Sequence, residues 1–383
     1  MSNKSDKSSE SQGNNKTNLK GEKLTPKGRR FLKLWIIGII LIFLFVGSYM
    51  VGVVYEDKQS DIAKHVERMS PNLNEPGLTP AEQNLSTNSN ITKVVTGIYV
   101  DQIRDFSLSD STWTVDFYIW FKWNGSNVNP GENLQIIDGN IIDKKIKDNY
   151  TRGTEHYEIY YVTAEISKFF DVLRFPVDNH VLTIGIEDEQ NERPNLIYVP
   201  ENDTSEISSR VQIPGYSISN ITVIEKPHTY KSNFGDPRLE NGSTTFSQFR
   251  AGIDVSRPDL GFYFRIFIAL FVAVTAALLA LLIKPTEVDP RFVLGSGALF
   301  VAVANNIITS ELIPKTGVLT LADMVNDLGL ILILITLVES TISLYLYDKK
   351  GEKKLSRVMD KISIVLLLVI YIVINIAIVV AAW

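Results

Sequence analysis

The chain is predicted to fold as an antiparallel β-sandwich followed by a four-helix transmembrane bundle, with an additional N-terminal transmembrane helix. Three observations predict it. Six short runs rich in β-branched and aromatic residues fill positions 93–257, separated by Gly, Asn, Asp and Pro clusters. Four stretches of about 20 mostly apolar residues, the length needed to cross a bilayer, follow position 258. A fifth such stretch, LWIIGIILIFLFVGSYMVGVVY, occupies positions 34–55.

Residues 1–33 are Ser, Asn, Lys and Gly with little apolar content until the end, the composition of a disordered tail. The 34–55 span has two readings. It is a signal anchor by the length of its apolar run, or a signal peptide cut near Val46-Gly47-Ser48. Residues 56–92 are polar and rich in Pro and Asn, a linker with one helical turn around 62–69. The strand runs then begin with VVTGIYVDQI and WTVDFYIWFKW. HYEIYYVTAEI, HVLTIGIED, YSISNITVI and FSQFRAGIDV follow, several alternating apolar and polar residues as half-buried strands do. The domain 258–383 holds spans at 262–283, 292–310, 321–347 and 362–383.

Basic residues orient the spans. Lys27, Arg29, Arg30 and Lys33 precede the first, and Lys349, Lys350, Lys353, Lys354 and Arg357 fill the gap between the last two. Both groups belong on the cytoplasmic side, and counting crossings makes the two assignments agree. The protein is therefore expected to be multi-pass in the cell membrane with a cytoplasmic N-terminus. The strand-rich region and the C-terminus lie outside, in the extracellular or periplasmic space.

Several function classes drop out. The net charge of −5 offers no electrostatic case for nucleic acid. There is no cysteine, so no disulfide, thiolate nucleophile or cysteine metal site. The four histidines lack ligand spacing, and no nucleotide-binding or nucleophile-elbow motif is present. No enzyme, no metal and no cofactor is expected.

The second clustered span, RFVLGSGALFVAVANNIITSELIP, is the least apolar of the four. At 3.6 residues per turn Val293, Gly297, Phe300, Ala304, Ile307, Ile308 and Glu311 share one face, which starts just past Asp289. A ring of such helices would form a pore with acidic mouths and an apolar girdle near Phe300. The competing explanation is that the small residues only let helices pack closely.

Four blocks then bear on family. TGIYVDQIRDFSLSDSTWTVDFYIWFKW ends in Trp123, FFDVLRFPVDNHVLTI contains Phe175-Pro176-Val177-Asp178, VSRPDL supplies Arg257, and ELIPKTGVLTLADMVNDLGLILILITLVES closes the set. Together they resemble the pentameric ligand-gated ion channels, the Cys-loop receptor superfamily, in its prokaryotic form without the cysteines. The resemblance spans roughly 96–340. It implies a homopentamer that passes inorganic ions, sits in membrane lipid and responds to a small-molecule or proton agonist.

The resemblance also assigns residues. It places Arg291 at the cytoplasmic base of the pore helix with Asp289 beside it, and Phe300 at the gating level. Asp289-Pro290-Arg291 mixes the acid of cation channels with part of the motif of anion channels; carboxylate rings at Asp289 and Glu311 favour cations. Pro176, Asp178, Arg257, Pro314 and Lys315 fit the machinery that couples the outer domain to the pore. The first strand turn departs from the pattern, with Leu108 where relatives often have an acid and Asp105 and Asp110 nearby. Tyr118, Tyr230 and Phe234 are candidates for the aromatic agonist box between subunits, although the usual Trp-x-Pro-Asp element is absent. Arg265 needs a partner, and Asp323 and Asp327 are the nearest acids expected across the bundle. A second class remains open, a non-conducting sensor whose helices only anchor it, and within the channel class so does an anion-selective pore.

Overall fold

A computed structural model describes residues 24–71, 91–193, 195–230, 232, 235 and 244–383. The first helix, α1 (Pro26–Arg68), is followed by ten strands and then by four further helices. Thr25 caps α1, its side-chain oxygen accepting from the Gly28 amide at 3.0 Å, and Pro26 stands at the first helical position. The segment expected as a linker from residue 56 is helical as far as Arg68, because EDKQSDIAKHVER contains neither Gly nor Pro.

The strands are β1 (Thr92–Ser107), β2 (Thr112–Asn124), β3 (Leu134–Ile137), β4 (Gly139–Arg152) and β5 (Glu155–Ser167), then β6 (Asn179–Asp188), β7 (Leu196–Pro200), β8 (Glu206–Ile207), β9 (Ser217–Tyr230) and β10 (Thr244–Ser256). One sheet runs β4-β5-β2-β1-β7, with β8 also on β1; the other runs β3-β6-β10-β9. The four-stranded sheet is antiparallel, but the larger one is mixed. β7 pairs parallel with β1, Thr92 opposite Leu196 through Thr96 opposite Pro200, and β8 pairs parallel at Tyr99 and Val100. That corrects the expectation of purely antiparallel strands; the chain returns beside β1 after an excursion through the other sheet.

Alternation places Val115, Phe117, Ile119 and Phe121 of β2 in one buried cluster with Leu182, Ile184 and Ile186 of β6 and Phe249, Ala251 and Ile253 of β10. At the edge, β4 (GNIIDKKIKDNYTR) carries repeated lysines and two register shifts, features that discourage pairing with further strands.

Among the described residues, five helices are long and apolar enough to cross a membrane. After α1 come α2 (Gly261–Ala280), α3 (Val288–Ser310), α4 (Leu321–Asp348) and α5 (Lys353–Ala382). α3 packs on α2 and α4, α4 also meets α5, and α1 lies along α5. The last helix starts nine residues before the apolar run because Leu355, Ser356, Met359 and Asp360 form a buried face while charged neighbours point away. Between α4 and α5 the chain turns through Gly351, whose φ of +67° suits glycine.

Small and polar residues set the α3–α4 spacing. A Cβ on Gly295 would come within 2.4 Å of Leu337. Asn305 donates to Asn326 Oδ1 at 2.9 Å, and Asn326 donates to Thr309 Oγ1 at 2.8 Å. Such side chains inside an apolar bundle act as interhelical glue. Asn326→Leu is expected to lower the melting temperature of the detergent-solubilised protein, a loss of about 1–2 kcal/mol; thermal unfolding followed by circular dichroism checks it.

Candidate functional site

Two faces of α3 have opposite environments. Arg291, Gly295, Ala298, Ala302, Asn305 and Thr309 are buried against the neighbouring helices. Val293, Gly297, Phe300, Ala304, Ile307, Ile308 and Glu311 are all exposed on the single chain, and Phe300 is 78% exposed. Asp289 stands exposed in the first turn of the helix, where a carboxylate also suits the positive end of the helix dipole. Asn305, a polar side chain in this apolar span, lies on the buried face.

Arg291 does not share the exposed face with Asp289. It is fully buried, and its guanidinium forms a two-pronged pair with Asp360 of α5, at 3.1 Å from Nη1 to Oδ2 and 2.9 Å from Nη2 to Oδ1. Its Nε donates to Ser340 Oγ at 3.0 Å, and Ser343 donates to Asp360 Oδ2 at 3.0 Å. Every oxygen of the carboxylate is thus occupied, which a charge removed from water requires. Asp360 was invisible as a partner because 69 positions separate it from Arg291.

The second constellation sits where strands meet helices. Asp178, in the loop immediately before β6, is buried. His180 Nε2 and Tyr216 Oη both lie 2.6 Å from its Oδ2, and Arg257 Nε donates to its Oδ1 at 3.3 Å. Arg257 also donates to the Gly215 carbonyl at 3.1 Å and lies over the rings of Tyr216 and Phe262, 3.8 and 4.3 Å from their centroids. Burial alone would raise the Asp178 pKa, but the His180 hydrogen bond and charge, the Arg257 charge and the Tyr216 bond hold it well below the usual carboxylate range. The structure therefore brings Asp178 and Arg257 together, and adds His180 and Tyr216. The peptide before Pro176 is cis.

Contact with the helices runs through backbone. Leu321 and Ala322, the first residues of α4, donate their amides to the carbonyls of Leu173 and Phe175, at 2.6 and 3.1 Å. Lys315 is exposed and makes no hydrogen bond or ion pair among the described residues, while Pro314 shapes the bend as its carbonyl accepts from the Thr316 amide at 2.8 Å. The contact point thus falls six residues past Lys315. Leu108 is buried, and Asp110 binds Ser107 at 2.7 Å within its own turn.

The remaining candidates are dispersed. Tyr118, on the larger sheet, contacts Tyr161 with ring centroids 4.7 Å apart. Tyr230, on the smaller sheet, lies against the tilted His228 ring at 4.4 Å between centroids and donates to Glu187 Oε2 at 3.1 Å. The two do not meet within one chain, and Phe234 lies outside the described residues. Arg265 is exposed and pairs with neither Asp323 nor Asp327. Asp323 instead completes a capping box, accepting from the Thr320 amide at 2.9 Å while its own amide donates to Thr320 Oγ1 at 3.2 Å. Among the described residues no group of three His, Asp or Glu side chains is placed to hold a metal. One titratable group had escaped notice: desolvation, and after it the charge of Arg68, pushes Lys168 down to about 7.

The low Asp178 pKa has a pH consequence. Its folded value lies below the unfolded value of about 3.9, so its stabilisation is present above that pH and is lost as pH falls below it. Asp178→Asn is expected to cost about 3–5 kcal/mol at neutral pH, because the half-buried Arg257 loses its carboxylate partner. The loss of melting temperature between pH 5 and 3 should be smaller in the variant than in the native chain, and acid titration of both checks this.

No protein-family model and no curated protein matches this chain.

Proposed function

We propose that the chain is a subunit of a homopentameric, cation-selective ligand-gated ion channel of the Cys-loop receptor type. The observation that carries the reading is the division of charge on α3. Arg291, the residue that argued for anions, is withdrawn into the bundle and neutralised by Asp360. What remains on the exposed face is acid at both ends, Asp289 and Glu311, around an uncharged stripe centred on Phe300. Five copies facing one axis would cover that stripe and place carboxylate rings at both mouths of a narrow pathway.

Other features support the same reading. The two sheets contribute to one buried cluster, as the halves of a β-sandwich do. Their lower end is fastened to the helices through Asp178–Arg257 and the loop around Pro176. With the basic segments inside, this sandwich and the C-terminus stand outside the cell membrane, where an agonist would reach them. Tyr118 and Tyr230 on different sheets fit an aromatic box completed by a neighbouring subunit, and Lys168 offers a group that titrates near neutral pH if the agonist is the proton. The reading as a non-conducting sensor draws on Asn305, whose polarity serves packing against Asn326.

Purified protein in planar bilayers under a NaCl gradient tests the proposal while pH and small amines are varied. Reversal near the sodium potential is expected, and a shift to the chloride potential would refute cation selectivity. A carboxylate in a water-like mouth lowers a cation's energy by about 1 kcal/mol at 4 Å. Asp289→Asn and Glu311→Gln should therefore each reduce single-channel cation conductance up to about fivefold. Silence across all conditions would favour the sensor.

A further inference from the structure

α1 does more than enter the membrane. It is one unbroken helix of 43 residues, about 65 Å long at 1.5 Å per residue. Its apolar half lies along α5: Trp35 Nε1 donates to Ser363 Oγ at 3.3 Å, and a Cβ on Gly47 would come within 3.1 Å of Ile374. Between Val53 and Arg68 there is neither Gly nor Pro, the usual origins of a kink. The helix also runs on without a break through Gly47-Ser48 and Gly52, so the lower half is joined to the upper half by continuous helical backbone.

The upper half holds the loop that contacts α4. Asp57 and Asp61, one turn apart, flank the buried guanidinium of Arg174, with Nε 3.6 Å from Asp57 and Nη2 bonded to Asp61. Asp61 also pairs with His65 at 3.2 Å, and Lys64 lies 3.7 Å from Asp171. Higher still, the Arg68 carbonyl accepts from Arg250 Nη1 at 2.9 Å, and Met69 packs over Gly252 of β10. Arg174 lies between Leu173 and Phe175, the two residues whose carbonyls receive the first amides of α4. The loop is thus gripped from one side by α4 and from the other by α1.

We propose that α1 is a lateral strut on the junction between sheets and helices: through Arg174 it sets the position of the 171–178 loop, and through that loop it biases the 310–323 turn. Displacement of α1 in the membrane becomes an input to the junction separate from the agonist site. Its effect on opening rests on the channel reading above; the mechanical link does not.

Hydrogen–deuterium exchange at Leu321 and Ala322 reads the link without any current. The full chain in liposomes is compared with Arg174→Gln, with Asp57→Asn/Asp61→Asn and with Gly47→Leu, which disturbs only the α1–α5 seam. Exchange of the 318–324 peptide should quicken roughly five- to tenfold in each, the loss of about one hydrogen bond's worth of protection. The triple variant of Asp57, Asp61 and Arg174 should be no faster than Arg174→Gln, since they act as one unit. Unchanged exchange in Gly47→Leu together with additive effects in the triple variant would overturn the strut. If Arg174→Gln does not fold, unchanged exchange in Gly47→Leu overturns it alone. In bilayers, open probability should shift in these variants at constant single-channel conductance. Faster exchange with no current in any variant would uphold the strut and remove the channel reading.

Discussion

The first turn of any α-helix leaves four amides without partners in the helix itself. At α4 all four are accounted for, and the way they are satisfied ties the molecule together. Thr320 donates to the Asp323 carboxylate, and Asp323 donates back to the Thr320 hydroxyl. Leu321 and Ala322 donate to Leu173 and Phe175, which belong to the strand region. A helix start buried against another domain would otherwise strand these donors at a cost of about 1–3 kcal/mol each. The junction therefore cannot slide without breaking backbone hydrogen bonds. Asp178, Arg257 and Arg174 are arranged around that requirement: Asp178 and Arg174 are buried and Arg257 half-buried, each has its partner on a different element, and each fixes the loop that supplies the carbonyls.

Buried ion pairs of this sort specify geometry more surely than they add stability, since desolvation offsets much of the attraction. The Asp178 cluster has three donors around one carboxylate, so its charge is well compensated, and these partners hold its pKa well below the usual carboxylate range. The Arg291–Asp360 pair performs the same service at the opposite end of the helices, joining the start of α3 to the start of α5. Between the two clusters, Asn305, Asn326 and Thr309 hold α3 against α4 by neutral hydrogen bonds. One face of α3 is thereby fixed along its length, and the other is left for whatever surrounds it.

Much of this was legible in the residues, and what was not has definable causes. Period 2 revealed the six apolar strands, but β4 escaped because an edge strand keeps its lysines, and β7 because five residues are too short to show a period. Helical periodicity found the α3 stripe, since it depends only on spacing. It could not find Asp360 or Asp61 as partners, for contacts between elements leave no trace in local pattern. Thr320-Leu-Ala-Asp323 is a different case. Its spacing is that of a capping box and was available to be read, yet membrane proximity suggested an ionic role for the acid. The polar stretch after Tyr55 is helical through Arg68 because it holds no breaker, a feature that apolar content does not register.

The placement of charge on α3 follows from these constraints. Asp289 and Arg291 are two residues apart, so they stand about 200° apart around a helix of 3.6 residues per turn and cannot share a face. Burying one exposes the other. Burial selects the arginine, because Asp360, Ser340 and the Ile283 carbonyl supply acceptors for its donors and nothing equivalent is offered to an aspartate. The acid is left on the outer face by geometry alone. Any exchange of these two side chains would place an unpaired carboxylate beside Asp360 in the bundle, a like-charge contact without water to screen it. The sign of the charge presented at that end of the helix is consequently a property of the bundle's packing as much as of the residue that carries it.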